Sequence, residues 1–394
     1  MARHTRRLIL WIIGSLLALA LLAVLGLIVF VYRVDPDIFR GRIEATASQA
    51  LGRSVRLTGA LRWRLGAHIA IESQGGEIAN APGFDGPFAA WRALRLDVAA
   101  RPLLDRELHI GRVQIDGLSL RLQRDAAGRG NWSMAARPAA GDSSQIRFRI
   151  GSLALRDASV QFSDAASGQA WQLESMNFET GLPADWQAPL LNFTDLSLRA
   201  KAGGAPLAAG GVELTLSVPA LSLAPGPTTL SVPAWKLRWD EARISGSVQA
   251  QGGAAPTAQG NVTVQSDSLR HLLSTVAIDL PPTRDPKAYG ALNATTRWNY
   301  RDGGAALEGL DAALDDTRVQ GSVTLPRLSP LSLRFDLAAD RIDADRYLEP
   351  ADAKSEPFEL PLAMLKALDA SGVLRIHEAR VAGSAAKEVT IDVD

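Results

Sequence analysis

The chain contains no cysteine, which rules out disulfides, thiolate metal sites and cysteine nucleophiles, and suits an oxidising compartment where a stray thiol is a liability. Neither charge is in excess: 42 Lys and Arg balance 42 Asp and Glu. Arg and Asp alternate locally instead of forming blocks, so no field draws in nucleic acid. Histidine is scarce, and His4, His68, His109, His271 and His377 lie far apart without an acidic partner at ligand spacing, so neither a metal nor a cofactor is expected. A phosphate-cradling glycine loop, a nucleophile elbow and a zinc signature are all missing. Glycine (34) and proline (21) are dispersed while apolar residues reach 47%, a composition that folds.

What remains of catalytic pattern is thin, and no enzyme is expected. Ser384-Ala385-Ala386-Lys387 has the Ser-x-x-Lys spacing of some acyl-enzymes, but that motif needs a helix, and here it follows Gly383 between strands and reads as a loop. Asp340, Asp343 and Asp345 alternate with Arg341 and Arg346, the pattern of a solvated rim and not of paired acid and base carboxylates. Asn-x-Ser/Thr triplets at Asn131, Asn192, Asn261 and Asn293 matter only in a eukaryotic secretory pathway. Tryptophans such as Trp63, Trp91, Trp132, Trp171, Trp235 and Trp239 read as packing residues.

The strongest positive signal is an unbroken run of 25 uncharged residues, Leu8 to Tyr32. As a helix rising ~1.5 Å per residue it spans roughly 37 Å, enough for a ~30 Å hydrocarbon core. Arg3, His4, Arg6 and Arg7 precede it, while Arg33 but also Asp35 and Asp37 follow, so the N-terminus (residues 1–7) is expected in the cytoplasm and the rest outside it. A cleavable signal peptide ending at Ala18-Leu19-Ala20 is the competing reading, but it leaves about a dozen apolar residues on the new N-terminus.

From 33 to 52 a short amphipathic helix is expected, with Asp35 as N-cap, Pro36 in the first turn, Ile38, Ile43, Ala47 and Leu51 on one face, and Gly52 as the stop. Beyond Gly52 the period becomes two, in Ser54 to Thr58, Ile69 to Ile71, Leu94 to Val98 and Val113 to Ile115. One unit repeats about 40 residues apart: His109 to Ile115 with Ser119 to Leu122 aligns on Arg149 to Leu155 with Ser159 to Phe162, and Gly128 aligns on Gly168. In both copies the apolar phase flips, between Ile115 and Leu118 and between Leu155 and Ala158, which suggests β-bulges. Similar segments recur to Val373–Ile376. With no long crossover helix, residues 53–394 read as a long, curled, antiparallel β-sheet with one apolar face. Short helices are expected at Ser268–Val276 and Leu362–Leu368, and loops at Lys201–Gly211 and Gly252–Gly260. The apolar face either builds an ordinary filled core or lines a groove for an apolar ligand; alternation is the same in both. The candidate lining residues are Val113, Ile115, Leu118, Leu120, Leu122, Leu153, Leu155, Val160 and Phe162.

Several segments resemble the AsmA family of bacteria: Ala50-Leu51-Gly52-Arg53-Ser54-Val55 with Gly59 and Trp63, then Asn80-Ala81-Pro82-Gly83-Phe84, Arg101 to Leu104, Ile110 to Leu122, and Gly128 to Trp132. Ile342-Asp343-Ala344-Asp345-Arg346-Tyr347-Leu348 and Leu360 to Leu362 look like that family's central segment. The resemblance implies a single-pass inner-membrane anchor, a periplasmic β-groove related to TamB-like and chorein-type bridge proteins, and a role in outer-membrane biogenesis with membrane phospholipid as ligand. Outer-membrane assembly proteins are possible partners, and a periplasmic scaffold for them, with a closed and dry sheet, is the alternative. Family members usually continue further, so the chain is expected to be truncated at its C-terminus.

Overall fold

The computed structural model describes residues 37, 40–65, 69–99, 107–133, 147–226, 228–328, 331–348 and 369–393. The expected membrane helix, Leu8 to Tyr32, lies outside them, as do Asp35, Pro36 and Leu362–Leu368. Among the described residues no helix is long and apolar enough to cross a membrane. The described chain is mainly β, with twenty-one strands and very little helix. It divides into two compact units, one of residues 1–123 and 129–149, the other of 124–128 and 150–394.

In the first unit, helix α1 (Arg40–Leu51) ends at Gly52, whose φ of +66° is the left-handed conformation that closes a helix. The helical period is only partly realised: Ala47 and Leu51 are half-buried, but Ile43 is 39% exposed. Eight strands follow: β1 (Val55–Arg56), β2 (Leu61–Leu65), β3 (Ile69–Ser73), β4 (Gly76–Ile78), β5 (Ala89–Trp91), β6 (Ala93–Val98), β7 (Glu107–Asp116) and β8 (Ser119–Arg124). They pair antiparallel as β2-β3-β6-β7 and β1-β4-β5-β8. The expected bulge after Ile115 is instead a break between β7 and β8. Gly117 takes φ +63° there, and a side chain on it would run into Arg92.

The second unit is a meander of long strands: β9 (Arg147–Asp164), β10 (Ala170–Gly181), β11 (Leu191–Gly204), β12 (Val212–Pro225), β13 (Thr228–Trp239), β14 (Ala242–Gln251), β15 (Thr257–Ser266), β16 (Leu292–Arg301), β17 (Gly304–Leu314), β18 (Thr317–Leu328), β19 (Leu331–Asp343), β20 (Asp369–Val381) and β21 (Ser384–Val393). Each pairs antiparallel with the next, with one departure from the expected topology: β19 and β20 run parallel, because the connection after Asp343 carries the chain back to the starting end. The phase flip in β9 is a bulge as expected, with Asp157 at φ +48° and register shifts on β10.

Three sequence readings are corrected. Lys201–Gly204 and Thr257–Gly260, expected in loops, are strand ends, because the neighbouring strand supplies their backbone partners whatever their side chains. Ser384–Lys387 is strand, not loop, and residues three apart on a strand face opposite ways. The expected helix at Ser268 is present as α2 (Leu269–Ser274), with the Ser268 side chain capping the His271 N–H.

Candidate functional site

Following the registry from strand to strand across the second unit produces one continuous row. Leu155 pairs with Phe178, Phe178 with Leu198, Leu198 with Leu216, Leu216 with Leu237, and Leu237 with Ile244. Val264, Ala294, Ala312, Val319, Ala339, Ile376 and Val389 continue it to β21. No polar residue interrupts the row from β9 to β21. At ~4.8 Å per strand it extends about 58 Å along the hydrogen-bonding direction, longer than a ~30 Å hydrocarbon core is thick.

One residue away on each strand from β10 to β18, the row is polar: Glu179, Ser197, Ser217, Lys236, Ser245, Thr263, Thr295, Asp311 and Gln320 are successive partners, flanked by Ala154 on β9 and Ala338 on β19. Thr263 and Thr295 hydroxyls lie 3.3 Å apart on this face. The sheet is thus two-faced because strand side chains alternate. Where the alternation in the sequence breaks, a bulge absorbs the extra residue and keeps apolar groups on the same side, as at Asp195 (φ +52°) and Gly309 (φ +59°).

The apolar row is not a filled core. Only Ala339 and Ile376 are buried, in a small cluster with Ala379. Leu155, Phe178, Leu198, Leu216, Leu237, Ile244 and Val264 are all half-buried. Water-accessible apolar surface on this scale is unfavourable unless something apolar covers it.

Aromatic side chains smooth this face. Trp235 pairs with Gly246, Trp298 with Gly260 and Phe335 with Gly372. In each case a side chain added to the glycine would meet the ring, at 3.1, 3.1 and 2.8 Å. The rings therefore lie across the glycines of the next strand, replacing the missing side chain. Trp91 over Gly76 does the same in the first unit.

One margin of the second unit is strapped. Residues 267–291, joining β15 to β16, run along it and hold successive hairpin ends. Thr275 accepts from Trp239 Nε1 at 2.9 Å, and its carbonyl accepts from Ala208. His271 meets Asp240 at 2.6 Å. Asp315 accepts from the N–H groups of Tyr289 and Gly290 and from the Tyr347 hydroxyl at 2.8 Å. Arg346 pairs with Asp285 at 2.8 Å and with Asp316 at 2.5 Å. Asp345 accepts from Ala382 and Gly383 in the β20–β21 turn. Those two backbone donors, Gly383 first, hold the Asp345 carboxyl below its ordinary 3.8. The Lys287 N–H, with Arg346, does the same to Asp285. Burial, with the bond to Asp315, pushes the Tyr347 hydroxyl up. The acidic and basic residues from Asp340 to Arg346 are thus in part a clasp: Asp345 and Arg346 bind distant turns, while Asp340 caps the Arg318 N–H.

All nine lining residues expected from the sequence are half-buried. Val113, Ile115, Leu118, Leu120 and Leu122 lie in the first unit, where Val113 pairs with Leu96 and Leu120 with Ala89. Leu153, Leu155, Val160 and Phe162 lie on β9, with Trp171 stacked on Phe162 at 5.1 Å. Only Leu155 is on the long row; Phe178 to Val389 were missed. Their signal was present as alternation, but which residues share a row depends on hairpin registry. Among the described residues no cluster of His, Asp or Glu is placed to hold a metal ion.

The first unit has a polar lock. Asn131, fully buried, accepts from the Gln123 N–H at 2.9 Å and donates to the Arg121 carbonyl at 2.8 Å and to Asn80 Oδ1 at 3.0 Å. Asn80 in turn caps the Ala81 N–H. Arg53 donates to the carbonyls of Asn131 and Ser133 and lies 4.5 Å over the Phe88 ring.

Comparison with known proteins matches residues 4–224 to the AsmA family. Protein AsmA of Escherichia coli (strain K12) is 30% identical over 154 residues, which cover 38% of this chain and 25% of that protein. The aligned stretch is thus a quarter of the relative's length. No solved structure matches.

Proposed function

Because this chain belongs to the AsmA family, we propose that it is a non-enzymatic protein of outer-membrane biogenesis that holds or conducts phospholipid along the apolar face of its second unit. The observation that carries this reading is the unbroken apolar row from Leu155 to Val389, half-buried at every strand but β19 and β20. A phospholipid's acyl chains supply what the row lacks, an apolar partner that removes it from water. The polar row beside it keeps the other face soluble. In this reading Leu8 to Tyr32 anchors the chain in the bacterial inner membrane, with Arg3, Arg6 and Arg7 in the cytoplasm and the two β units in the periplasm. The role needs no chemistry, only a continuous surface whose affinity for acyl chains varies little from strand to strand.

The test is photocrosslinking in the full chain, in cells, with a photoreactive amino acid at Leu216 or, as control, at Ser217 on the opposite face. A phospholipid adduct at 216 and none at 217 is expected. No adduct at 216, or equal adducts at both, would contradict the reading.

A further inference from the structure

The two margins of the second unit differ. On the strapped side the hairpin ends carry Asp240, Glu241, Asp315 and Asp316, and the turn after β19 carries Asp345 and Arg346. On the other side, the turns at 225–228 and 251–257 have no charged residue and the loop at 182–190 has only Asp185, while the later β16–β17 turn carries Arg301 and Asp302, so the charge-poor part of that margin runs from 182 to 257. In that loop stand two exposed large apolar side chains only four residues apart, Trp186 at 50% and Leu190 at 46%, whereas Ile278 at 51% and Val381 at 56% on the strapped margin each stand beside a charged residue, Asp279 and Arg380. Asp185, exposed, accepts from the Gln187 N–H at 2.8 Å. Trp186 sets its ring edge-on to Phe193, with centroids 6.0 Å apart. Phe193 pairs with Leu221 and the neighbouring Leu191 with Leu223, so Trp186 continues the apolar face past its unstrapped margin.

We infer that residues 182–190 form a bilayer-contacting element: Trp186 and Leu190 enter the interfacial zone of a zwitterionic membrane and bring the open margin of the apolar face to it. A tryptophan suits that zone because its ring is apolar and its N–H stays near water. The absence of Lys and Arg from 182–190 selects a zwitterionic over an anionic surface, since recruitment by anionic headgroups relies on basic residues. The inference extends the lipid-handling reading by locating where lipid passes between face and membrane.

The native lack of cysteine makes a single label possible. The full chain with Gln187→Cys, carrying an environment-sensitive fluorophore, is reconstituted in vesicles and mixed with phosphatidylcholine acceptor vesicles that alone contain a nitroxide-labelled lipid. Quenching with a blue shift is expected at 187, equally at low and high salt, and none for a label at Glu241→Cys on the strapped margin. Adding Trp186→Ser and Leu190→Ser should abolish it. An unquenched 187 label, or quenching indifferent to those two substitutions, would overturn the inference. Phospholipid crosslinking at Leu216 in the same preparation separates the two ideas: adducts without quenching leave the lipid-handling reading standing and this one refuted, and quenching without adducts does the reverse.

Discussion

Asn131 in the first unit and Leu216 in the second show two ways a residue can matter in one β protein. Asn131 is fully buried, with each side-chain polar atom in a specific hydrogen bond to Gln123, Arg121 or Asn80. Leu216 is half-buried, between Leu198 and Leu237, and any apolar residue of similar size would continue its row. Segments that resemble the AsmA family hold the first: Gly52-Arg53, Asn80 to Phe84, and Gly128 to Trp132. The proposed function rests on the second, whose sequence is generic. The family match runs from residue 4 to 224 and so spans both kinds of residue, but which apolar residues share the working surface must be found from registry.

That contrast can be broken experimentally. The largest stability effect is expected at the lock: Asn131→Ala strands the backbone groups of Gln123 and Arg121 and should cost about 2–4 kcal/mol, read by urea unfolding of the first unit. Leu216→Ala should cost only about 1 kcal/mol, below the ~2–5 kcal/mol of a filled core, because its site is not closed. A loss of core size at Leu216 would mean that the face is packed and dry. Acid should act on the clasp of the second unit. Asp345 and Asp285 have folded-state values below the ordinary 3.8, so their contribution is fully present above that value and is lost as pH falls through the lower folded-state values. The protection of the Ala382 and Gly383 N–H groups, their exchange rate relative to the intrinsic rate at the same pH, should therefore fall in that acid window, and Asp345→Asn should show the reduced protection already at neutral pH. The smallest effect is expected for Ser217→Asp, on the polar face, which should alter neither stability nor lipid.

Much of the fold was legible because period two is read directly from the residues, as in Leu94 to Val98 and Val212 to Leu216. The bulge at Asp157 was visible as a phase flip. The break at Gly117 gave the same flip, since a turn and a bulge both consume one residue of alternation. The parallel pairing of β19 with β20 was not legible, because it depends on the path taken after Asp343 and not on either strand's own pattern. Asp345 and Arg346 looked like solvated rim, since their partners Gly383, Asp285 and Asp316 lie far along the chain. For the site, alternation announced an apolar face, but the row needed the registry of every hairpin, and a slip by one residue would exchange the two faces.

The central claim is that the half-buried row is occupied by phospholipid. Native mass spectrometry of the full chain, extracted from cells with its bound lipid, tests it most directly when Leu216→Asp is compared with Ser217→Asp and circular dichroism confirms that both fold. Phospholipid on the unaltered protein and on Ser217→Asp, but not on Leu216→Asp, is the expected result. A lipid-free unaltered protein, or equal lipid on the two variants, would contradict it.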